Sequence, residues 1–172
     1  ALLWEPNHPD TPGRSLTYRQ LHSEVCRMAN ALKAQGIGKG DRVCIYMPMT
    51  PELAIAVLAC ARIGAIHSVV FAGFSAISVA DRIKDSECCA VLTSDYNARG
   101  AKNIPVKAVV DKALQLGCDS VKKVIVHRHT GEKVTWTEGR DVWWHEAMAG
   151  QSDECPAEIM DSEDPLFILY TS

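Results

Sequence analysis

The stretch Gly40-Asp-Arg-Val-Cys-Ile-Tyr-Met47 is a turn followed by a short apolar run, and a helical pattern begins a few residues later. Thr50 can cap that helix, and the pattern runs from Pro51 to Ile63, with proline suited to the first helical position. A second β-rich run, Ile66-His-Ser-Val-Val-Phe71, follows after a glycine. A strand, a helix and a strand at this spacing predict two parallel strands joined by a right-handed crossover.

The same alternation continues on both sides of this unit. On the N-terminal side, Thr17 and Gln20 form a capping box at the start of an amphipathic helix that follows a short strand from Arg14 to Tyr18. On the C-terminal side we predict a helix from about Ser75 to Ser86, a strand from Ala90 to Thr93, a helix from Pro105 to Leu116 and a strand from Lys123 to His127. The predicted fold class is therefore α/β, an open and mostly parallel sheet with flanking helices.

The last third of the chain has a different character. From 129 to 163, charges, tryptophans and Gly/Pro breaks replace periodicity, which predicts an irregular surface excursion. Leu166 to Tyr170 then predicts a last buried strand, set off by Asp164-Pro165. We predict one partial domain over 1–172, in which 1–128 forms the sheet and 164–172 is a strand that enters a phosphate loop.

The overall composition excludes several classes of function. The formal net charge of −3 gives no attraction to nucleic acid or an anionic membrane as a whole, so any anion site must be local. The longest apolar stretch, Leu53 to Ala61, is far shorter than the ~20 residues that span a bilayer. Seven cysteines without a framework spacing indicate reduced, buried thiols and a cytoplasmic location.

Two segments at predicted strand ends contain residues that suit an anion. Asp95 to Lys102 contains two cations, Arg99 and Lys102, with a glycine between them, so that side chains and backbone N–H groups could approach one phosphate together. Thr171-Ser172 places two hydroxyls directly after the last apolar run. From the residues alone, a solvated loop and the polar end of a strand explain these segments as well.

Other candidate residues have a simpler interpretation. Ser75 follows a strand and a glycine, but it is better placed to cap its own helix than to bind an anion. His67 lies among apolar residues and is expected to be packed, and Trp143-Trp144-His145 is expected to pack against the domain. His127-Arg-His129 near Cys118 lacks the CxxC spacing of a zinc site, so we predict no metal ligands.

The segment Asp164-Pro-Leu-Phe-Ile-Leu-Tyr-Thr-Ser172 resembles the entry to the phosphate loop of the adenylate-forming acyl-CoA synthetases. Within that superfamily the acetyl-CoA synthetase family is the most similar. The stretches that carry this resemblance run in order along nearly the whole chain: Leu16–Leu21, Lys39–Val43, Tyr46–Met49, Ala59–Phe71, Gly73–Ser75, Glu138–His145 and Met148–Gln151.

The resemblance implies an enzyme that joins acetate to coenzyme A through an acyl-adenylate, with ATP, coenzyme A and Mg²⁺ as substrates and cofactor. It implies that Arg99, Gly100, Ala101 and Lys102 contact the nucleotide part of coenzyme A, with Ala101 where the family usually has a second glycine. It also implies that Thr171 and Ser172 begin the loop that holds the ATP phosphates. Its catalytic residues would lie elsewhere, so we expect an N-terminal fragment that is inactive alone and needs the remainder of its own polypeptide.

Three other functions remain open at this point. A free-standing nucleotide- or coenzyme A-binding module would share the same strand ends without catalysis. A propionate–CoA ligase fragment would differ only in acyl-pocket residues that this chain does not contain. A half-domain of a dinucleotide-dependent oxidoreductase is disfavoured, because no strand is followed by Gly-x-Gly-x-x-Gly.

Overall fold

The computed structural model describes residues 1–171, and the predicted role of Ser172 lies outside the described residues. The strands in chain order are β1 Leu2–Trp4, β2 Arg14–Leu16, β3 Arg42–Tyr46, β4 Ile66–Val69, β5 Ala90–Ser94, β6 Asn97–Arg99, β7 Lys102–Ile104, β8 Lys123–His127 and β9 Asp141–Trp143. The helices are α1 Tyr18–Ala34, α2 Pro51–Arg62, α3 Ala76–Ser86, α4 Val106–Leu114 and α5 Trp144–Met148.

Five strands form one parallel sheet in the order β4-β3-β5-β8-β9. Successive residues of a strand face opposite sides of the sheet, and the packing shows this alternation. Val43 and Ile45 pack with α1 and α2 on one side, while Cys44 and Tyr46 pack with α3 and α4 on the other. The α/β class predicted from the sequence is therefore confirmed.

Two of the three predicted caps satisfy free N–H groups with their side chains, whereas Thr50 precedes α2 without forming a side-chain cap hydrogen bond. Thr17 Oγ1 accepts a hydrogen bond from Gln20 N at 3.2 Å, and Gln20 Oε1 accepts one from Thr17 N at 2.9 Å, which completes the capping box. Ser75 Oγ accepts from Ser78 N at 3.3 Å. Ser75 therefore caps α3, as the simpler interpretation predicted.

The segment 129–163 differs from the prediction, because part of it belongs to the sheet. Asp141–Trp143 forms β9, which pairs in parallel with β8, and α5 follows directly with the Trp144 side chain in the core. A three-residue strand is too short to show a periodic pattern, and its pairing depends on an edge that only the folded sheet provides. The rest of 129–163 is irregular.

The prediction of a buried last strand is wrong. Phe167 forms a single parallel bridge with His67, and Ile168 N donates to His67 O at 3.0 Å. Phe167 and Leu169 remain 53% and 67% exposed. The run lies against the outer edge of β4, where one bridge satisfies only part of its backbone, and no second strand among residues 1–171 covers its side chains.

A buried ion-pair network fixes α4 to the segment before β9. Lys107 is fully buried, and its Nζ lies 2.7 Å from Asp111 Oδ1 and 2.9 Å from Asp141 Oδ2. Arg140 contacts the same two carboxylates at 2.6 Å each. Two cations thus neutralise two carboxylates, which is the condition for retaining such charges in the interior.

No helix within 1–171 has the length and apolar character needed to cross a bilayer.

Removing the buried cation should destabilise the domain. We expect Lys107→Met to lower the free energy of unfolding by about 3 kcal/mol, since it leaves carboxylates short of a partner in the interior. Urea unfolding measures the change. The matched control is Lys112→Met on the exposed side of the same helix, which should change stability by less than about 0.5 kcal/mol; equal effects of the two variants would contradict the assignment.

The same network predicts a pH dependence. Burial alone would raise the pKa of Asp141, but hydrogen bonds from Arg140 and Lys107 outweigh it and hold the pKa below its ordinary value of 3.8. A carboxylate whose pKa is lowered by folding stabilises the protein above its ordinary pKa, and this contribution is lost as the pH falls through the folded-state pKa. The difference in unfolding free energy between wild type and Asp141→Asn should therefore shrink when urea titrations are repeated at pH values below 3.8.

Candidate functional site

The candidate site lies along the edge where the parallel strands end. Because all five strands run in the same direction, the segments after β3, β4, β5 and β8 leave the sheet at this one edge. Ligands of open α/β sheets bind outside the carboxyl ends of the strands. We call this side the carboxyl edge.

The segment that contains the two cations is a β-hairpin, whereas the sequence predicted an irregular loop. β6 and β7 pair antiparallel in the register Asn97↔Ile104, Ala98↔Asn103 and Arg99↔Lys102. We call residues 97–104 the hairpin. Its strands are three residues each and mostly polar, so neither length nor hydrophobic alternation distinguishes them from a loop.

A two-residue turn, Gly100-Ala101, closes the hairpin. Gly100 has φ +59°, a conformation that L side chains rarely adopt. Ala101 keeps a negative φ, because Glu87 is the one non-glycine residue with a positive φ within 1–171. The turn therefore needs a glycine at its first position and accepts the methyl group of Ala101 at its second.

The hairpin brings Arg99 and Lys102 together. Residues directly opposite in an antiparallel pair have their side chains on the same face, so the two cations lie side by side. Both are exposed, and the Arg99 guanidinium lies 5.6 Å from the centre of the Phe71 ring, which belongs to the segment after β4. Two neighbouring, exposed cations form a suitable site for a phosphate.

An apolar cavity of about 510 Å³ lies next to the hairpin. It is lined by the ends of β3 and β4, the first turn of α2, the N-terminal segment and the hairpin, and the residues include Trp4, Met47, Leu53, Val69, Phe71 and Arg99. Leu169 lines it as well, so the segment that leads to Thr171 reaches the same cavity as Arg99. The cavity joins the two segments that the sequence singled out.

Asp95 positions the base of the hairpin, and sequence reasoning missed this role. Its side chain is fully buried between the ends of β5 and β8. Oδ1 accepts from the backbone N–H groups of Tyr96 at 2.7 Å and His129 at 2.9 Å, and Oδ2 accepts from Thr130 N at 3.1 Å and Gly131 N at 2.7 Å. The only indication in the sequence was an aspartate directly after a buried strand.

Thr171 lies at the end of the second candidate segment and is exposed. The preceding Tyr170 is fixed against α3: its hydroxyl donates to Asp85 Oδ2 at 2.6 Å, and the Arg82 guanidinium lies 5.0 Å from its ring centre. Burial and the neighbouring Asp85 carboxylate raise the pKa of Tyr170 to about 12, so the hydroxyl remains a donor at neutral pH. α3 therefore determines where the chain leaves the edge of β4.

The remaining candidates have structural roles. His67 is buried, burial lowers its pKa, and its ring packs on Phe167 at 5.8 Å. Trp143 and Trp144 pack against the domain, as predicted, but Trp144 lies deeper than expected, in the core, while Trp143 stacks on Trp136 at 4.7 Å. Cys118 belongs to the core cluster on the α3 and α4 side of the sheet, and residues 1–171 contain no group of three His, Cys, Asp or Glu side chains placed to hold a metal ion.

Comparison with known proteins identifies the family of the chain. The protein family described as "AMP-binding enzyme" matches residues 2–172. The chain belongs to the AMP-binding enzyme family.

Relatives within the AMP-binding enzymes indicate a narrower group. The chain is 59% identical over 172 residues to acetyl-coenzyme A synthetase 2 of Pseudomonas putida and 58% identical over 172 residues to acetyl-coenzyme A synthetase of Halorhodospira halophila. Each match covers 100% of this chain and 26% of the relative, so the chain spans about a quarter of their length.

A solved structure gives the same result for the fold. Acetoacetyl-CoA synthetase from Streptomyces lividans superimposes with a TM-score of 0.87 at 26% sequence identity, and the match covers 98% of this chain and 25% of that one. The hairpin and the cavity thus lie in a fold shared with an acyl-CoA synthetase.

The contacts of Asp95 predict a large effect of a small substitution. Asp95→Asn keeps one oxygen acceptor but places an NH₂ group against backbone N–H donors, and we expect it to cost about 2–3 kcal/mol of unfolding free energy. Hydrogen exchange should also become faster in peptides that cover 127–131. Asp119→Asn is the control, because Asp119 is exposed and its side chain has no hydrogen-bond partner within 1–171; a similar loss in both variants would contradict the role of Asp95.

Proposed function

We propose that this chain is the N-terminal part of an AMP-forming acetate–CoA ligase. The parent enzyme would convert acetate and ATP to acetyl-adenylate and pyrophosphate, and the thiol of coenzyme A would then displace AMP. The observation that carries the proposal is the sequence identity of 59% and 58% to two acetyl-CoA synthetases over the whole length of this chain. The paired cations of the hairpin support it independently, because coenzyme A carries phosphates at its nucleotide end.

Arg99 and Lys102, with Gly100 and Ala101 between them, are proposed to bind the nucleotide phosphates of coenzyme A. The chain has a formal net charge of −3, so a polyanion is attracted by local charge and not by the molecule as a whole. Arginine supplies a planar fork of donors and lysine a mobile point charge, and together they can contact several phosphate oxygens. The hairpin register holds the backbone of both residues side by side, so less entropy is lost on binding than if the segment were flexible.

Thr171, together with Ser172, is proposed to open the loop that holds the ATP phosphates. Hydroxyl and backbone N–H groups at the carboxyl end of a strand suit an anion. Mg²⁺ would accompany ATP in the parent enzyme. Within 1–171 no group of three His, Cys, Asp or Glu side chains is placed to hold it.

The proposed partners are acetate, ATP, coenzyme A and the remainder of the parent polypeptide, and the proposed location is the cytoplasm. All seven cysteines are free, and six of them are buried, which suits a reducing compartment. The residues proposed above would bind and position substrates, and the chain alone is proposed to be inactive.

The proposal is tested with the parent protein and with this chain. The full-length protein should form acetyl-CoA, AMP and pyrophosphate from acetate, ATP and coenzyme A, whereas residues 1–172 alone should give background values in an acetate-dependent ATP–pyrophosphate exchange assay. Turnover by the short chain would refute its inactivity. Absence of acetate-dependent activity in the full-length protein, or a strong preference for propionate, would refute the assignment to acetate.

The hairpin cations should affect one substrate selectively. We expect Arg99→Ala and Lys102→Ala in the full-length enzyme each to raise KM for coenzyme A by about tenfold to a hundredfold, the range for losing one charge-assisted hydrogen bond. KM for ATP in the exchange assay should stay within about twofold. Arg19→Ala and Lys33→Ala, exposed cations on α1, are matched controls, and an unchanged KM for coenzyme A in the hairpin variants would place its phosphates elsewhere.

A further inference from the structure

The tip of the hairpin is fixed by a side chain that is distant in sequence. Asn7 Nδ2 donates to Gly100 O at 2.8 Å, and Gly100 N donates to Asn7 Oδ1 at 2.7 Å. One side-chain amide thus satisfies both backbone polar groups of the turn residue. Two antiparallel hydrogen bonds to one residue fix its orientation as well as its position, as a paired strand would.

The segment that carries Asn7 is itself fixed at both ends. β1 and β2 form an antiparallel ribbon in which Trp4 pairs with Arg14, so residues 5–13 form a closed loop. Trp4 Nε1 donates to Met49 O at 2.9 Å, and Arg14 Nη1 donates to Glu52 Oε1 at 2.7 Å. Both acceptors lie at the start of α2, so Asn7 is connected through the ribbon to the core of the domain.

A hairpin of this size needs such support. An isolated two-stranded ribbon is marginally stable in water, and here each strand has only three residues. At the base, Asp95 fixes the chain before β6, and Asn97 Nδ2 donates to Ala72 O at 3.0 Å. Neither contact reaches the turn, and Asn7 is the residue that fixes the end where Arg99 and Lys102 lie.

We propose that Asn7 is a positioning residue for coenzyme A binding: its amide holds the Gly100 turn so that Arg99 and Lys102 face the ligand phosphates together. This inference rests on the proposed function of the hairpin. It assigns no chemical step to Asn7. Its effect is to lower the entropy that the tip loses when the ligand binds.

The test uses the full-length enzyme with Asn7→Ala. We expect KM for coenzyme A to rise by about threefold to tenfold, since two hydrogen bonds to neutral groups are lost at an exposed position. KM for ATP and acetate should change by less than about twofold. Hydrogen exchange should become faster in peptides that contain Gly100 and stay unchanged in those from α1.

Asn30→Ala is the matched control. Like Asn7, Asn30 forms two hydrogen bonds with distant backbone, but it donates both, to Ser152 O at 2.9 Å and Glu154 O at 3.0 Å, and it lies on α1. This variant should lose similar stability without changing KM for coenzyme A. Equal increases of KM in the two variants would reduce the effect of Asn7 to general destabilisation and overturn the proposal.

Arg99→Ala, measured in the same series, separates the two proposals. If Arg99→Ala raises KM for coenzyme A and Asn7→Ala does not, the positioning role is overturned while the hairpin site stands. If neither variant changes KM for coenzyme A, the hairpin is not the coenzyme A site and the positioning role of Asn7 is overturned as well. If both variants raise it and Asn30→Ala does not, the positioning role is supported.

Discussion

The carboxylate of Asp95 is the interaction on which the carboxyl edge of this domain depends. β5 and β8 are the two neighbouring strands at the centre of the sheet, and the segments that follow them leave in different directions. The buried carboxylate joins them by accepting backbone N–H groups from both. A charged acceptor forms stronger hydrogen bonds than a neutral one. This single side chain therefore satisfies several backbone N–H groups that would otherwise be buried without a partner. The hairpin begins from this fixed point.

Much of the scaffold could be predicted from the sequence, because its determinants are local. The Thr17–Gln20 capping box, the Ser75 cap and the apolar face of α1 depend on residues a few positions apart, and the structure has them as predicted. The helices between apolar runs were sufficient to predict a parallel sheet. β9 was missed, because three residues become a strand only when the edge of β8 is present.

The site was less predictable for a related reason. Arg99 and Lys102 were singled out by residue type, but their side-by-side arrangement comes from a register that polar three-residue strands do not reveal. The contact between Asn7 and Gly100 joins residues 93 positions apart. For the run from Leu166 to Tyr170 the sequence predicted more structure than is found. Its apolar composition indicated burial, but composition does not tell whether a neighbouring strand exists to cover the side chains. Phe167 is 53% exposed.

The treatment of positive charge distinguishes the scaffold from the candidate site. Lys107 and Arg140, which hold α4 and β9 together, are each neutralised by the carboxylates of Asp111 and Asp141. Beyond its base, which Asp95 fixes, the hairpin is instead held by neutral amides, Asn7 at its tip and Asn97 in its first strand, and within residues 1–171 neither Arg99 nor Lys102 forms an ion pair. A carboxylate at either place would also have fixed the hairpin, but it would have competed with an incoming phosphate for the same cations. Neutral hydrogen bonds fix the geometry and leave the charge available, which is the arrangement that a site for an anionic substrate requires.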